Sequence, residues 1–383
     1  MAGRRAGARR ALVIRVGTGL AANAAEAAAT AAAQLGDATA DLAFVFLSGD
    51  NAAAAEEAVA AVHEQLAPRH LVGCVADGVV GRDTEVETGT AAAVWAASLP
   101  GAEVGSFHAT TLELEEGTAI VGFPQADRAD LVALIVDPYT FPADAFLEKL
   151  NEENPGTPLV GGVASGRQLL LGEEVIPEGA VGAVLSGVPV RTLVSQGCAP
   201  IGRDAVVTAA EENVIYELAG ERALDRLRAD VVALDERERT LAATGLLVGL
   251  VIDENKPEYG RGDYLIRGLV GADEDSGAIA VGVPVRVGQT VRFHVRDGAS
   301  ADDDLRQTLA PLVGGRAAGA LLFTCNGRGT NMFPEPGHDA RLVTEALGAE
   351  ALAGFFCGGE IGPVGGRAFL HGFTATLAVF LEE

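Results

Sequence analysis

The sequence predicts an α/β fold in which duplicated strand–helix–strand–strand units form layered mixed β-sheets covered by helices, an αββα-like arrangement in two related domains. Three observations support this prediction. First, one order of apolar runs and helical stretches recurs along the chain. Second, the apolar runs consist of consecutive apolar residues rather than alternating apolar and polar ones. Third, a pair of glycines recurs at the same place in each repeat.

The repeat itself is the strongest observation. Each copy has an opening apolar run, a helical stretch, a second apolar run with the glycine pair, and a closing apolar run. The closing run begins 47 or 48 residues after the opening run in every copy. The opening runs are DLAFVFLS (41–48), DLVALIVD (130–137) and GALLFTCN (319–326).

The apolar runs are rich in consecutive Val, Leu, Ala and Ile, a pattern typical of strands buried on both faces. Sheets of that kind need helices on their faces, and helical stretches follow the opening runs at 52–66, 141–153 and 338–348. A weaker fourth copy is predicted between residues 244 and 297, with Gly268 in the first glycine position. Four units would then form two pairs.

The paired glycines lie five residues apart. They are Gly73 and Gly78, Gly161 and Gly166, and Gly354 and Gly359. No pair is followed by Lys-Ser or Lys-Thr, so the spacing does not predict a nucleotide-binding loop. Glycine at a strand end permits sharp exits and close backbone approach. It also leaves backbone N–H groups accessible to a carboxylate.

A chain of 383 residues exceeds what one hydrophobic core usually supports. We predict a leader and first strand over residues 1–40, an N-terminal domain over 41–195 and a C-terminal domain over 196–383.

Charge and composition exclude several classes of partner. The 28 basic and 53 acidic residues give a formal net charge of −25, which repels phosphate backbones and anionic membranes. No apolar run reaches the length of a spanning helix, and the four cysteines contain no Cys-x-x-Cys pair. We expect a cytoplasmic protein with no nucleic-acid partner, no membrane partner and no cofactor.

Several segments resemble the paired N- and C-terminal FIST domains. They are GCVADGVVGRDTEVETGT, GDYLIRGLVGADEDSGAIAVG, HVRDGASADDDLRQTL, CNGRGTNMF and GFFCGGEIGPVGGRAFLHGFTATLAVF. The resemblance covers roughly residues 41–380 and implies a free-standing bacterial copy of a cytoplasmic sensory module. Such a module is expected to bind a small ligand, such as an amino acid, and to act on a signalling protein partner. In eukaryotic relatives it sits beside an F-box.

The main candidate site directly follows the apolar run ALLFT and consists of Cys325, Asn326, Gly327, Arg328 and Gly329. In open α/β sheets, ligands collect at the carboxyl ends of strands, because loops and helix N-termini present unpaired donors there. Arg328 between two glycines has little local cover. It either clamps a ligand carboxylate or phosphate or pairs with a structural acid.

Weaker candidates lie near this segment. Glu360, which follows Gly359, either receives a ligand ammonium group or pairs with Arg328. His371 on the closing run is either a ligand contact or a satisfied core histidine. Arg267, inside the apolar run LIRGLV, either lines the same cavity or forms a structural ion pair, because a buried arginine requires a partner.

In the N-terminal half, Asp77 occupies the turn after a strand, near Glu85 and Glu87. Acids at turns commonly cap backbone N–H groups. Three acids could also hold a metal ion, but no histidine or fixed ligand spacing supports this, so no metal site is predicted.

The leading hypothesis is a binding module for a small polar or anionic metabolite, with Arg328 and Glu360 as contacts of opposite charge. An α-amino acid presents both charges. The runner-up is a cysteine-dependent hydrolase or transferase using Cys325 or Cys357, which needs a lowered thiol pKa and a nearby base such as His371. No complete catalytic motif occurs, so no enzyme is predicted. A protein-interaction scaffold is the third alternative.

Overall fold

Three sheets enclose one shared apolar core, and helices pack on their outer faces. The computed structural model describes residues 13–115 and 117–382. The predicted layered mixed sheets with helical cover are confirmed. The predicted leader begins in residues 1–12, which lie outside the described residues, whereas the predicted first strand is present.

The chain forms three related units, the third of which contains an inserted sheet. The first unit comprises β1 (Arg15–Ala21), α1 (Ala24–Leu35), β2 (Leu42–Ser48), α2 (Ala55–Leu66), β3 (His70–Val75), β4 (Val79–Gly81), β5 (Thr84–Val86) and β6 (Ala91–Ser98). The second comprises β7 (Glu103–Leu114), β8 (Gly117–Val121), β9 (Leu131–Val136), α3 (Ala143–Glu153), β10 (Leu159–Val163), β11 (Leu169–Leu171), β12 (Glu174–Ile176) and β13 (Ala180–Ser186).

The third unit opens with β14 (Val190–Gln196). The inserted sheet and its helices follow: β15 (Cys198–Pro200), β16 (Ala205–Glu211), β17 (Val214–Leu218), β18 (Glu221–Arg222), α4 (Ala223–Val232), α5 (Glu236–Thr244), β19 (Leu246–Val251), β20 (Tyr264–Asp273), β21 (Ala278–Val281) and β22 (Thr290–Arg296). The unit then resumes with α6 (Gly298–Leu309), β23 (Ala317–Cys325), α7 (His338–Leu347), β24 (Leu352–Cys357), β25 (Glu360–Val364), β26 (Arg367–His371) and β27 (Thr374–Leu381). Within the described residues, no helix is both long and apolar enough to cross a membrane.

The three units build their sheets by one rule. The strand orders are β1-β6-β2-β3-β11-β12, β26-β25-β10-β9-β13-β7-β8 and β14-β27-β23-β24-β4-β5. In each sheet the two strands joined by a covering helix are parallel neighbours. The predicted strand–helix–strand–strand order is therefore confirmed for all three strong copies.

Each unit lends a two-stranded hairpin to another unit. Hairpin β4–β5 of the first unit pairs with β24 of the third, β11–β12 of the second pairs with β3 of the first, and β25–β26 of the third pairs with β10 of the second. The exchange is therefore cyclic. We call these three elements the exchanged hairpins.

Alternate residues of the central strands face two different cores. In β2, Phe44 and Phe46 face the shared core, where their rings lie 5.9 Å from Trp95 and 5.2 Å from Phe355 respectively. Val45 between them packs under α1 and α2. Burial on both faces explains why these strands are continuous apolar runs.

The first glycine of each pair marks a close approach of two parallel strands. A Cβ atom built on Gly73, Gly161 or Gly354 would lie 1.7 to 1.9 Å from a carbonyl oxygen of the neighbouring strand. Backbone atoms cannot move aside as a side chain can, so only glycine fits. The expected close backbone approach is confirmed at these three positions.

The predicted fourth copy is wrong. Its strands β19 and β20 are antiparallel, and both belong to the inserted sheet, in which β22 also pairs with β19. Gly268 has no crowded neighbour, since the nearest atom to a built Cβ is 4.0 Å away. Short apolar runs look alike in parallel and antiparallel sheets, so their composition did not distinguish the two.

Replacing a crowded glycine tests this packing. We expect Gly73→Ala to lower the free energy of unfolding by about 3 kcal/mol, because the added methyl group overpacks two strands. Gly372→Ala is the matched control, since a Cβ there meets no atom within 4 Å. It should change stability by less than about 1 kcal/mol. Urea unfolding followed by the fluorescence of the single tryptophan measures both; equal stabilities would contradict the packing argument.

Candidate functional site

The main predicted segment lies where β23 and β24 end, beside the exchanged hairpin β4–β5 and the turn between β26 and β27. The N–H of Asn326 donates to the carbonyl of Cys357 (2.9 Å), and the N–H of Arg328 donates to the carbonyl of Cys325 (2.9 Å). These bonds hold the segment across the ends of the two parallel strands. Glu360 begins β25, directly after Gly359.

Arg328 is fully buried and pairs with Asp339 on α7. Its Nε and Nη2 donate to the two oxygens of Asp339 at 2.7 and 2.8 Å, and Thr324 Oγ1 donates to the same carboxylate at 2.9 Å. Burial opposes ionisation of Asp339, but the Arg328 charge and hydrogen bonds outweigh it and hold the pKa of Asp339 well below its usual range. Arg328 therefore pairs with a structural acid, which was the alternative to binding a ligand carboxylate or phosphate. Its predicted ligand role stays a prediction, which this pairing opposes.

His338 extends the pair into a network. Its Nδ1 lies 2.9 Å from Asp339 Oδ1, its Nε2 lies 2.9 Å from Asp302 Oδ1, and its ring stacks on Phe333 at 3.5 Å. Burial lowers the pKa of His338, but the hydrogen bonds and charges of the two aspartates raise it above its ordinary value. The sequence analysis missed this network, because Asp339 and His338 occur inside a stretch that signals only a helix.

Glu360 is buried without an ion-pair partner among the described residues. Its Oε2 accepts from the N–H and Oγ1 of Thr374 at 3.1 and 2.8 Å, while no hydrogen-bond partner of its Oε1 is found in residues 13–115 and 117–382. Burial raises the pKa of Glu360 to about 8. Burial therefore favours the protonated form of this carboxyl, and Arg328 pairs with Asp339 rather than with Glu360.

Glu85 and Glu87 come to this site from the first unit. Glu85 Oε1 accepts from the N–H of Ala340 at 2.9 Å, and Glu87 Oε2 accepts from Thr330 Oγ1 at 2.7 Å. Burial, followed by the charge of Asp339, raises the pKa of Glu85 to about 7. These acids thus bind elements of the third unit.

The glycines beside Arg328 make room for neighbours. A Cβ on Gly327 would lie 2.7 Å from the Phe373 ring, and one on Gly329 would lie 2.6 Å from the Glu87 carboxyl carbon. Phe373 itself has a φ of 62°, an uncommon conformation for a bulky residue. Gly327 and Gly329 therefore admit the packing around Arg328.

The requirements of a cysteine nucleophile are not met. Burial and then the charge of Glu360 raise the pKa of the Cys325 thiol to about 12, and burial raises that of Cys357 well above its usual value. His371 is buried, its Nε2 lies 3.0 Å from the carbonyl of Gly362, and burial lowers its pKa to about 4. His371 is thus a hydrogen-bonded core histidine.

Arg267 lies elsewhere, on β20 of the inserted sheet. Its side chain is 11% exposed and lines a cleft of about 370 Å³ between β19 and β20, helix α3 and the exchanged hairpin β25–β26. Nη1 donates to the carbonyl of Leu370 at 2.8 Å, and Nη2 lies 3.4 Å from Asp144 Oδ1. Burial lowers the pKa of Arg267, and the charge of Asp144 only partly opposes this. We call this cavity the Arg267 cleft.

Asp77 lies apart from both places. It is exposed at the turn between β3 and β4, where its N–H donates to Ser165 Oγ at 3.0 Å. Ser165 occupies the equivalent turn of the second unit. Of the ten predicted site residues, eight lie at or beside the ends of β23, β24 and β26, one lines the Arg267 cleft and one lies at this turn. The eight are Cys325, Asn326, Gly327, Arg328, Gly329, Gly359, Glu360 and His371, the last being the strand partner of Glu360.

A three-unit α/β body with an inserted sheet defines the class of this protein, and comparison with known sequences gives its family. Residues 41–221 match the FIST N domain and residues 223–363 match the FIST C domain. The chain belongs to the FIST family, whose domains are associated with sensory signal transduction. The predicted boundary at residues 195–196 stays a prediction.

The chain is also similar to proteins of two mycobacteria. An uncharacterized protein of Mycobacterium tuberculosis is 45% identical over 370 residues, which cover 94% of this chain and 96% of that protein. An uncharacterized protein of Mycobacterium bovis is 44% identical over 369 residues, which cover 94% and 95%. The similarity therefore extends across both domains.

The Arg328–Asp339 pair is expected to be essential for stability. Arg328→Ala should lower the free energy of unfolding by about 3 to 5 kcal/mol, because it leaves the Asp339 carboxylate buried without its partner. Arg306→Ala is the control, since Arg306 pairs with Asp302 at the surface and should cost less than about 1 kcal/mol. Urea denaturation measures both variants. Similar small losses would show that the buried pair is not a structural requirement.

The raised pKa of Glu360 predicts a pH dependence. Between about pH 5 and 8 the folded protein binds a proton at Glu360 that the unfolded chain releases, so this group's contribution to stability falls as the pH rises. The fall is at most about 1.4 kcal/mol per pH unit. Glu360→Gln should flatten the decline in unfolding free energy across this range, whereas Glu350→Gln, at an exposed residue, should not. An unchanged slope in the Glu360 variant would contradict the assignment.

Proposed function

We propose that this protein is a sensor that holds a small polar or anionic metabolite in the Arg267 cleft, with Arg267 as the principal contact. One observation carries the proposal: a nearly buried arginine, whose charge is incompletely compensated, lines a cavity at the junction of the two family domains. Small-molecule sites occur preferentially at such junctions and contain a few polar groups in an otherwise apolar wall. This moves the ligand away from Arg328.

The two buried arginines differ in what compensates them. Arg328 has a bidentate carboxylate at 2.7 and 2.8 Å. Arg267 has one carboxylate oxygen at 3.4 Å, from Asp144, whose side chain is 62% exposed, and otherwise bonds to backbone carbonyls. A buried charge is costly unless it is paired. A ligand carboxylate would supply the strong bidentate bond that Arg267 lacks.

The charges around the cleft suit a zwitterion. Arg267, Arg286 and Arg367 line it with positive groups, while Asp144 and Glu148 contribute negative ones on the α3 side. An α-amino acid would place its carboxylate on Arg267 and its ammonium group near Asp144. A volume of about 370 Å³ accommodates a molecule of that size.

The walls of the cleft also suit signalling. Helix α3 belongs to the part of the chain that matches the FIST N domain, and β20 to the part that matches the FIST C domain. A ligand that contacts both walls stabilises their closed arrangement relative to an open one. That change in population would be the signal read by a protein partner.

Ligand screening tests the proposal. Thermal-shift and calorimetric measurements with a panel of amino acids and small carboxylic acids should identify a ligand that stabilises the wild-type protein. Arg267→Gln should weaken its binding by about tenfold to a hundredfold, the effect of losing a hydrogen-bonded charge. Asp144→Asn should weaken the binding of amino acids more than that of the matching carboxylic acids.

Arg69→Gln provides the matched control. Arg69 is an exposed residue of the first unit that pairs with Asp41. Neither residue lines the Arg267 cleft. It should bind ligand as the wild type does. The proposal fails if no compound stabilises the wild type, or if a folded Arg267→Gln variant binds with undiminished affinity.

A further inference from the structure

The second unit carries a two-stranded extension that leaves its sheet. Residues 103–109 of β7 pair with β13, whereas residues 110–114 pair only with β8 among the described strands. We call the two paired segments, 110–114 and 117–121, the β7–β8 arm. A two-stranded ribbon is only marginally stable by itself in water, so cover on the exposed face would stabilise the arm.

The outer edge of the arm is available for pairing. Strand β8 ends the sheet order, and no other strand in residues 13–115 and 117–382 pairs with its far side. Its backbone therefore offers a row of N–H and C=O groups, which template the addition of another strand. On one face of the arm, Ile120 packs against the apolar cluster that contains Phe107 and Phe146, and a groove of about 660 Å³ lies between β8 and helix α3.

The opposite face of the arm exposes an apolar stripe. Leu112, Leu114 and Val121 are 49%, 54% and 40% exposed. The register pairs Leu112 with Ala119, Leu114 with Gly117 and Thr110 with Val121, so all three apolar side chains point to one face. Clustered exposed apolar side chains mark an interaction surface.

The charge of the arm indicates which kind of partner fits. Glu113 and Glu115 are exposed, and the sequence contains no Lys or Arg between residues 110 and 121. A symmetric contact between two copies would bring identical acidic side chains together on a chain of charge −25. A basic partner avoids that repulsion.

We propose that the β7–β8 arm is the docking site for an extended, basic segment of a partner protein, which adds as a third strand along β8. The backbone of β8 supplies the pairing hydrogen bonds. Alternate side chains of the added strand pack beside Ala119 and Val121 on the stripe face, which Leu112 and Leu114 of β7 extend. The exposed carboxylates of Glu113 and Glu115 make the arm acidic and so favour a basic segment. The arm shares no residue with the lining of the Arg267 cleft.

Fluorescence polarisation with synthetic nonapeptides tests the proposal on the full chain. The probe alternates Val with Lys and Thr; one control peptide replaces Lys by Glu, and another carries Pro at its centre. The probe should bind the wild-type protein, and both control peptides should bind at least about tenfold more weakly, because one reverses the charge and the other removes a backbone donor.

Matched variants locate the binding. Leu112→Ser with Leu114→Ser, and Glu113→Lys with Glu115→Lys, should each weaken the probe at least about tenfold. Val232→Ser, at an apolar residue 78% exposed on α4, should leave it unchanged. The proposal is overturned if the probe does not bind, if the acidic peptide binds equally well, or if the leucine variant leaves binding intact. It is also overturned if light scattering shows a wild-type dimer that the leucine variant dissociates, since a second copy would then cover the arm.

Discussion

The cyclic exchange of hairpins is the constraint on which the rest of the molecule depends. Each of the three sheets is completed by two strands from another unit, and all three sheets contribute one face to the shared core. No unit can therefore satisfy its strand edges or bury its apolar face alone. The exchange also builds the Arg328 network, because hairpin β4–β5 carries Glu85 from the first unit to the start of α7 in the third.

The two buried arginines differ in how well their charges are paired, and this difference separates a structural arginine from a candidate ligand contact. Arg328 is enclosed, bidentate and part of a network with His338 and Asp302. Removing one partner of such a pair is costly, although the pair itself adds little net stability. Arg267 is nearly as enclosed, but besides two backbone carbonyls its charge meets one long contact to a mostly exposed carboxylate. That imbalance, located at a cleft, is what favours Arg267 as the ligand contact.

The sequence could predict the parts of the fold that depend on local patterns. The apolar runs and helices of the three copies follow from burial on both faces, and the leading glycines from close strand approach. The exchanged hairpins could not be predicted, because which sheet a short hairpin joins depends on contacts distant in sequence. The fourth copy failed for the same reason: composition does not encode strand direction.

The sequence could single out unusual residues such as Arg267 and Arg328, but it could not predict which partners their side chains contact. Arg267 stood out as a charge inside an apolar strand, but it lines a cleft apart from the Arg328 segment rather than the same cavity, and its contact there is with Asp144 at 3.4 Å. Asp339, the partner of Arg328, gave no signal, because an acid in the first turn of a helix is ordinary. Glu360 lacks an ion pair because Arg328 is already bonded to Asp339.

The direction of the hairpin exchange also sets an order on biosynthesis. Hairpin β11–β12 follows the first unit directly and can complete the first sheet early, but hairpin β4–β5 cannot join its sheet until β24, far later in the chain, has been synthesised. The second sheet waits longer still, for hairpin β25–β26. Two of the three sheets are therefore completed only after β24–β26 have been synthesised, and until then their strand edges remain open to other chains.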